Sequence, residues 1–184
     1  ELESRAKQYA LKMEELWSPE FGAYLNYRTD VDSLSTRVSP TLFYPLMAKV
    51  GNDEKNEIIM EHFYNPEEFY GEWMLPSTTR NDPIFSRQRY WKGAIWPPLN
   101  FLTYLSLCQA GYTDAATELS EKSLKLIMTE WTRKGYVSEN YSAITGTGDD
   151  SRLSSDRFHS WGALFGIMSF IENGYLPQIE SPMK

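Results

Sequence analysis

The chain has 184 residues, enough for one domain with a sizeable core. Its net charge of −7 argues against nucleic acid or an anionic membrane surface as the main partner, and no apolar run approaches the ~20 residues of a membrane span. A lone cysteine, Cys108, excludes an internal disulfide, and His62 and His159, without HxxH or CxxC spacing, argue against a structural zinc site and read as surface or satisfied polar residues rather than catalysts.

Residues 3–17 open the chain with Ala6, Tyr9, Ala10, Met13, Leu16 and Trp17 at spacings of three and four, one apolar stripe opposite a charged face. This predicts a half-exposed outer helix. Residues 39–50 predict an apolar inner helix, with Ser39 as N-cap and Pro40 at the first helical position; Pro45 marks a kink or a displaced first turn. The alternation repeats in residues 53–63, which bury Ile58, Ile59 and Phe63, and in residues 97–110, apolar almost throughout and opened by Pro97 and Pro98. It repeats again in residues 113–131, with a stripe of Ala116, Leu119, Ser123, Ile127 and Trp131. Residues 156–172 complete the third pair with Phe158, Trp161, Leu164, Phe165, Ile167, Met168 and Phe170.

Connections from inner to outer helices are short, at Gly51-Asn52 and around Gly111-Tyr112, whereas those from outer to inner helices run to roughly 20–30 residues, beyond the usual helix connection. In antiparallel helical hairpins all long connections emerge at one end, so three long loops gather over the N-terminal ends of the inner helices, where binding and catalysis commonly sit. The pattern is all-α and predicts (α/α)6 toroid-type hairpins, about six helices, half of a full toroid. A plain helical-repeat solenoid is the competing architecture. Half a ring leaves apolar inner surface to be covered by upstream residues, by a second chain or by tighter closure. The first residue, Glu1, is not Met, which reads as a processed chain or part of a longer one.

Candidate chemistry lies in the loops. The first, residues 18–38, suits a short hairpin across the pocket mouth, with Asp30 and Asp32 in a solvated turn rather than an EF-hand pattern. In the second, residues 64–96, Arg80 and Asp82 read as a mutual pair, and Tyr90, Trp91 and Trp96 crowd a helix entrance. Flat aromatic faces beside polar groups suit the C–H face and hydroxyl edge of a sugar; the same rings also suit a core at a loop-helix junction. The third loop sets Glu139 between Tyr136 and Tyr141 in a Gly-rich approach. A carboxylate held there has the chemistry of a general base toward water, and equally that of a loop acid bonding local backbone.

Tyr90-Trp91-Lys92-Gly93-Ala94-Ile95-Trp96-Pro97-Pro98-Leu99-Asn100 resembles the YWRGPIWPPxN signature of glycoside hydrolase family 63 and its relatives, including the family 37 trehalases. Glu139-Asn140-Tyr141, then Thr145-Gly146 and Phe158-x-x-Trp161, is similar to the ENYxxxTG…FxW segment of the same group. Ser39-Pro40 with Phe43-x-Pro45-Leu46, and Phe69 with Pro76-Ser77, fall in the same order, so the resemblance spans nearly the whole chain. It implies an (α/α)6 toroid, inverting hydrolysis of an α-glucosidic or related bond, and Glu139 as general base. It further implies that Tyr90, Trp91, Trp96 and Tyr141 shape a sugar subsite, with Trp161 behind or beside it. Lys92 and Ala94 depart conservatively. The family's general acid is an aspartate in an earlier loop that no residue here matches, whereas inverting hydrolysis needs two carboxyl groups about 6.5–9.5 Å apart.

The resemblance makes residues 1–184 a single unit, the C-terminal part of a catalytic domain. Its implied partners are a carbohydrate substrate and the missing N-terminal part of the toroid or a second chain, and no metal or redox cofactor is required. A noncatalytic carbohydrate-binding or assembly module that keeps the aromatic pocket is the alternative. The sequence does not indicate a compartment.

Overall fold

The computed structural model describes residues 1–177, and among these it has six α-helices. Helix α1 (Leu2–Glu14) leads into two small antiparallel hairpins, β1 (Trp17–Ser18) with β2 (Ala23–Tyr24) and β3 (Tyr27–Arg28) with β4 (Ser33–Leu34). The short α2 (Tyr44–Met47), α3 (Asp53–Tyr64), α4 (Pro97–Ala110), α5 (Thr113–Lys134) and α6 (Leu164–Glu172) follow. Helix α4 packs against α2, α5 and α6, and α5 packs against both α4 and α6, so the outer helix bridges two inner ones. The fold is all-α and toroid-type.

Local chemistry sets the helix bounds. Pro97 and Pro98 occupy the first turn of α4, where a missing N–H costs no intrahelical bond, and Gly111 ends it in the left-handed region. Asn52 caps α3 by accepting the Lys55 N–H at 2.9 Å, a bond of about 1 kcal/mol. The core joins Leu42, Phe43 and Leu46 around α2, Ile59 and Phe63 of α3, Tyr104 and Leu107 of α4, Leu119 and Leu126 of α5, and Phe165 and Met168 of α6.

Two of the inner helices, α2 and α6, depart from expectation at their starts. The stretch predicted as one helix over 39–50 begins as a 3-10 turn, Pro40–Phe43, and becomes α-helical only at Tyr44, so Pro45 lies in a displaced first turn. Ser39 makes no capping bond; its hydroxyl pairs with Thr41 Oγ1 at 2.8 Å. Likewise α6 starts at Leu164 after a 3-10 turn, Ser160–Ala163, because Phe158 takes a left-handed φ of +58° that a helix cannot include, and its ring is exposed.

Two outer stripes are also corrected. In α1 only Ala10 and Met13 approach the core, Tyr9 is exposed, and the helix stops before Trp17, which enters β1. In α5 Trp131 faces out and the neighbouring Glu130 is buried. Its carboxylate takes the Arg133 and Lys134 side chains and the Gly148 N–H, and so ties the third loop to the helix.

His62 locks α3 to the first hairpin. Its Nδ1 meets Glu68 and its Nε2 lies 3.0 Å from the Phe21 carbonyl and 3.2 Å from that of Gly22, so acceptors face both nitrogens. Burial by itself pushes the imidazole down, but the Glu68 bond and charge and the two carbonyls outweigh it and raise the ring above its usual value. A raised folded pKa means that this stabilisation is complete below pH ~6.5 and is lost as pH rises through the raised value. Thermal melts of wild type and His62→Gln across pH 5.5–9 should therefore converge toward the alkaline end; a gap independent of pH would exclude a protonated His62.

Candidate active site

Backbone pairing brings the second and third loops together. Ile95 and Tyr141 exchange both of their bonds, N–H to carbonyl at 2.7 and 3.0 Å, and Ile95 also bridges Pro76. Ser138 bridges Arg157, and the Glu139 N–H donates to the Asp156 carbonyl at 2.9 Å. Arg37 of the first loop joins Asp82 of the second at 2.6 Å. The three long loops thus meet.

Arg80 does not pair with Asp82. Its guanidinium donates to the carbonyls of Tyr70, Trp73 and Ala143 at 2.9, 2.5 and 3.3 Å, which stitches the second loop to the third. Asp30 and Asp32 stay at the exposed β3–β4 tip, bonded to Arg28 and Tyr27.

The aromatic residues of the signature divide into two layers. Trp96, 1% exposed, donates its Nε1–H to the Tyr90 carbonyl at 2.9 Å, and Tyr141 is fully buried with its hydroxyl accepting the Ser138 N–H at 3.1 Å. Burial pushes the Tyr141 phenol up to about 12. These two rings form the wall beneath the surface and present no open face. Tyr90, Trp91 and Trp161 are 54%, 38% and 40% exposed. Trp91 stacks on Trp96 with centroids 4.0 Å apart and planes at 18°, Tyr90 meets Trp96 edge-on at 5.3 Å, and Trp161 meets it at 6.0 Å. One buried indole therefore orients three exposed rings.

The Glu139 side chain is 18% exposed beside this cluster. Asn140 Nδ2 lies 3.4 Å from its Oε2, and His159 Nε2 lies 3.8 Å from Oε1. The His159 ring contacts Trp161 at 5.1 Å, and its Nδ1 lies 3.4 Å from the Trp161 backbone N, so Nε2 is the ring nitrogen that faces the carboxylate. Asn140 is itself buried; its N–H donates to Ser155 Oγ at 3.1 Å and its Nδ2 to the Ser154 carbonyl at 3.0 Å. A carboxylate, an imidazole and an aromatic shelf thus adjoin one another. Among the described residues no group of three or more His, Cys, Asp or Glu is placed to hold a metal ion, and no helix is long and apolar enough to cross a membrane.

The family can now be assigned. The sequence profile described as "Mannosylglycerate hydrolase MGH1-like glycoside hydrolase domain" matches residues 1–161. This chain belongs to that glycoside hydrolase family. The mannosyl-oligosaccharide glucosidase of Saccharomyces cerevisiae is 30% identical over 128 residues, 61% of this chain and 15% of the relative. A family 63 mannosylglycerate hydrolase of Thermus thermophilus, solved with glucose, superimposes with a TM-score of 0.71 at 22% identity, covering 87% of this chain and 38% of that one. Neutral trehalase of Saccharomyces cerevisiae gives 0.70 at 23% identity, covering 91% and 30%. The MGH1-like chain therefore spans well under half the length of these relatives, and the likeness to the solved enzymes establishes the toroid fold.

Three supporting residues of the MGH1-like site escaped the sequence reading. Buried Gln88 accepts the Ala143 N–H at 2.7 Å and donates to the Phe85 carbonyl at 2.8 Å from a left-handed backbone, φ +49°. Asn100, the last residue of the signature, clamps the Leu75 peptide through both ends of its amide and also donates to the Trp96 carbonyl at 3.0 Å. His159 faces Glu139. Polar residues in a loop look alike in sequence; only for Asn100, an amide in the first turn of an apolar helix, was there a signal.

Gly93 carries a backbone demand, with φ +93° and the Phe85 carbonyl oxygen where a Cβ would stand. Gly93→Ala should destabilise the fold by at least ~1–3 kcal/mol in urea unfolding, because both the conformation and the space exclude it. Gln88→Leu should cost about 1–3 kcal/mol by leaving the buried Ala143 N–H without its acceptor.

Proposed function

We propose that this chain carries the general-base half of an inverting glycosidase acting on an α-glucoside or related oligosaccharide. Glu139 takes a proton from the water that attacks the anomeric carbon, and the general acid comes from residues outside the chain, in the N-terminal part of the toroid or a second chain. The observation that carries this reading is the position of Glu139. Its carboxylate is partly exposed at the edge of an aromatic shelf, with Asn140 beside one oxygen and His159 beside the other, which leaves lone pairs for a water.

The sugar rests on Tyr90, Trp91 and Trp161, which are exposed, while buried Trp96 holds them from beneath and Tyr141 fixes the adjoining backbone through Ile95. A pyranose C–H face on an indole gains from desolvation without a formal charge. The relatives named above differ in sugar and aglycone, and their shared chemistry is hydrolysis of a glycosidic bond. Their greater length supports the split of acid and base, as does exposure of an apolar side chain on every inner helix, Met47 of α2, Leu102 of α4 and Phe170 of α6. Closing the ring covers these.

In the full natural chain, Glu139→Gln should lower kcat by ~10²–10⁴ with the fold intact, and proton NMR of an α-glucoside digest should show the β-anomer first. Undiminished turnover in that variant would remove Glu139 from the mechanism. Trp91→Ala should mainly raise KM, about tenfold, through loss of the shelf.

A further inference from the structure

Glu139 is fastened mainly through its backbone, whose N–H donates to the Asp156 carbonyl at 2.9 Å. Its side chain turns about three bonds. The nearest amide, Asn140 Nδ2, is 3.4 Å from Oε2 and already donates to the Ser154 carbonyl at 3.0 Å, so it does little to fix the carboxylate plane. The other neighbour is His159, whose Nε2 lies 3.8 Å from Oε1, both side chains being partly exposed.

The fold holds His159 there from the same segment that carries Glu139. Ser138 bridges Arg157, and the Phe158 N–H donates to the Val137 carbonyl at 2.8 Å. Beyond the histidine, Gly162 lies so close that a Cβ on it would stand 2.6 Å from the Ser138 carbonyl oxygen. These contacts bracket His159 on both sides, so its place beside Glu139 is a property of the backbone. The ring leans on Trp161 at 5.1 Å, and Trp161 meets the buried Trp96 at 6.0 Å. One imidazole thus touches the aromatic shelf and faces the carboxylate. Among the described residues Glu139 is the one charged group within ion-pair reach of it.

We propose that His159 is a positioning residue for Glu139: its Nε2 donates to Oε1 as substrate binds and turns the carboxylate so that Oε2 faces the attacking water. A separation of 3.8 Å is longer than a hydrogen bond, and catalytic contacts commonly tighten from such distances in the substrate complex. Asn140 can occupy only one lone pair of Oε2, so a water keeps an acceptor there. His159 acts through Glu139 and not on the reacting atoms. This role rests on Glu139 being the base.

Steady-state kinetics of the full natural chain on an α-glucoside, with two replacements, tests it. Asparagine keeps a polar atom near the Nδ1 position, 3.4 Å from the Trp161 backbone N, but has nothing at Nε2; glutamine extends an amide toward Nε2. His159→Asn should lower kcat about tenfold with KM changed less than about twofold, and His159→Gln should recover most of the loss. A purely structural role would reverse that order, and a rise in KM at unchanged kcat would assign the ring to the shelf; either result overturns the positioning role. In the Glu139→Gln background, His159→Asn should have no further effect on kcat, because no carboxylate is left to orient. An equal loss in both backgrounds overturns the link. Proton–nitrogen correlations of the histidine rings read the contact without turnover: the one lost in His159→Asn should move in Glu139→Gln, and a fixed position overturns the contact. Full turnover in Glu139→Gln removes the base and this role with it. Loss there, together with wild-type kcat in His159→Asn, removes the positioning role alone.

Discussion

The reciprocal pair of backbone bonds between Ile95 and Tyr141 is the constraint on which the site depends. Ile95 precedes the indole that organises the aromatic rings, and Tyr141 lies two residues beyond the Glu139 carboxylate, so this one pairing sets the aromatic shelf and that carboxylate in register. Loops usually run over surfaces because buried peptide groups need partners. These loops run inward, and the partners are supplied one by one: Arg80 to three carbonyls, Asn100 to the Leu75 peptide, Gln88 to Ala143 and Phe85, Glu130 to Gly148. The polar side chains of the loop region therefore act largely as fasteners.

That division accounts for a signature dense in aromatics. Its rings are not alternatives between core and ligand surface. They form a lower layer, Trp96 and Tyr141, whose polar atoms are satisfied internally, and an upper layer, Tyr90, Trp91 and Trp161, whose faces remain open. The upper layer inherits its geometry from the lower, and the lower is rooted at the first turn of α4, the helix that touches α2, α5 and α6.

Helix α4 was legible to the residue, because two prolines at one end and a glycine at the other leave little freedom. The alternation of inner and outer helices was legible from apolar periodicity, and the meeting of the long loops from the asymmetry of connection lengths. What the periodicity hid was local. A 3-10 turn keeps nearly the same apolar spacing as an α-helix, so the true start of α6 was invisible and that of α2 was marked only by Pro45, and Glu130 in place of Trp131 depends on a carboxylate reaching a loop eighteen residues downstream. Glu139 and its neighbours came from the resemblance rather than from spacing. The layering of the rings required coordinates, since burial of Trp96 but not Trp91 follows from a stack between residues five apart.

The left-handed turn at Tyr90 has a consequence for ligand entropy. A tyrosine at φ +55° stays there only because its surroundings over-determine it: Trp96 bonds its carbonyl, Arg89 and Lys92 close the turn, and Gln88 anchors the approach. The rings that such a turn carries are already in one arrangement before any ligand arrives. A ligand therefore has few side chains to immobilise, and more of its interaction energy is left as affinity.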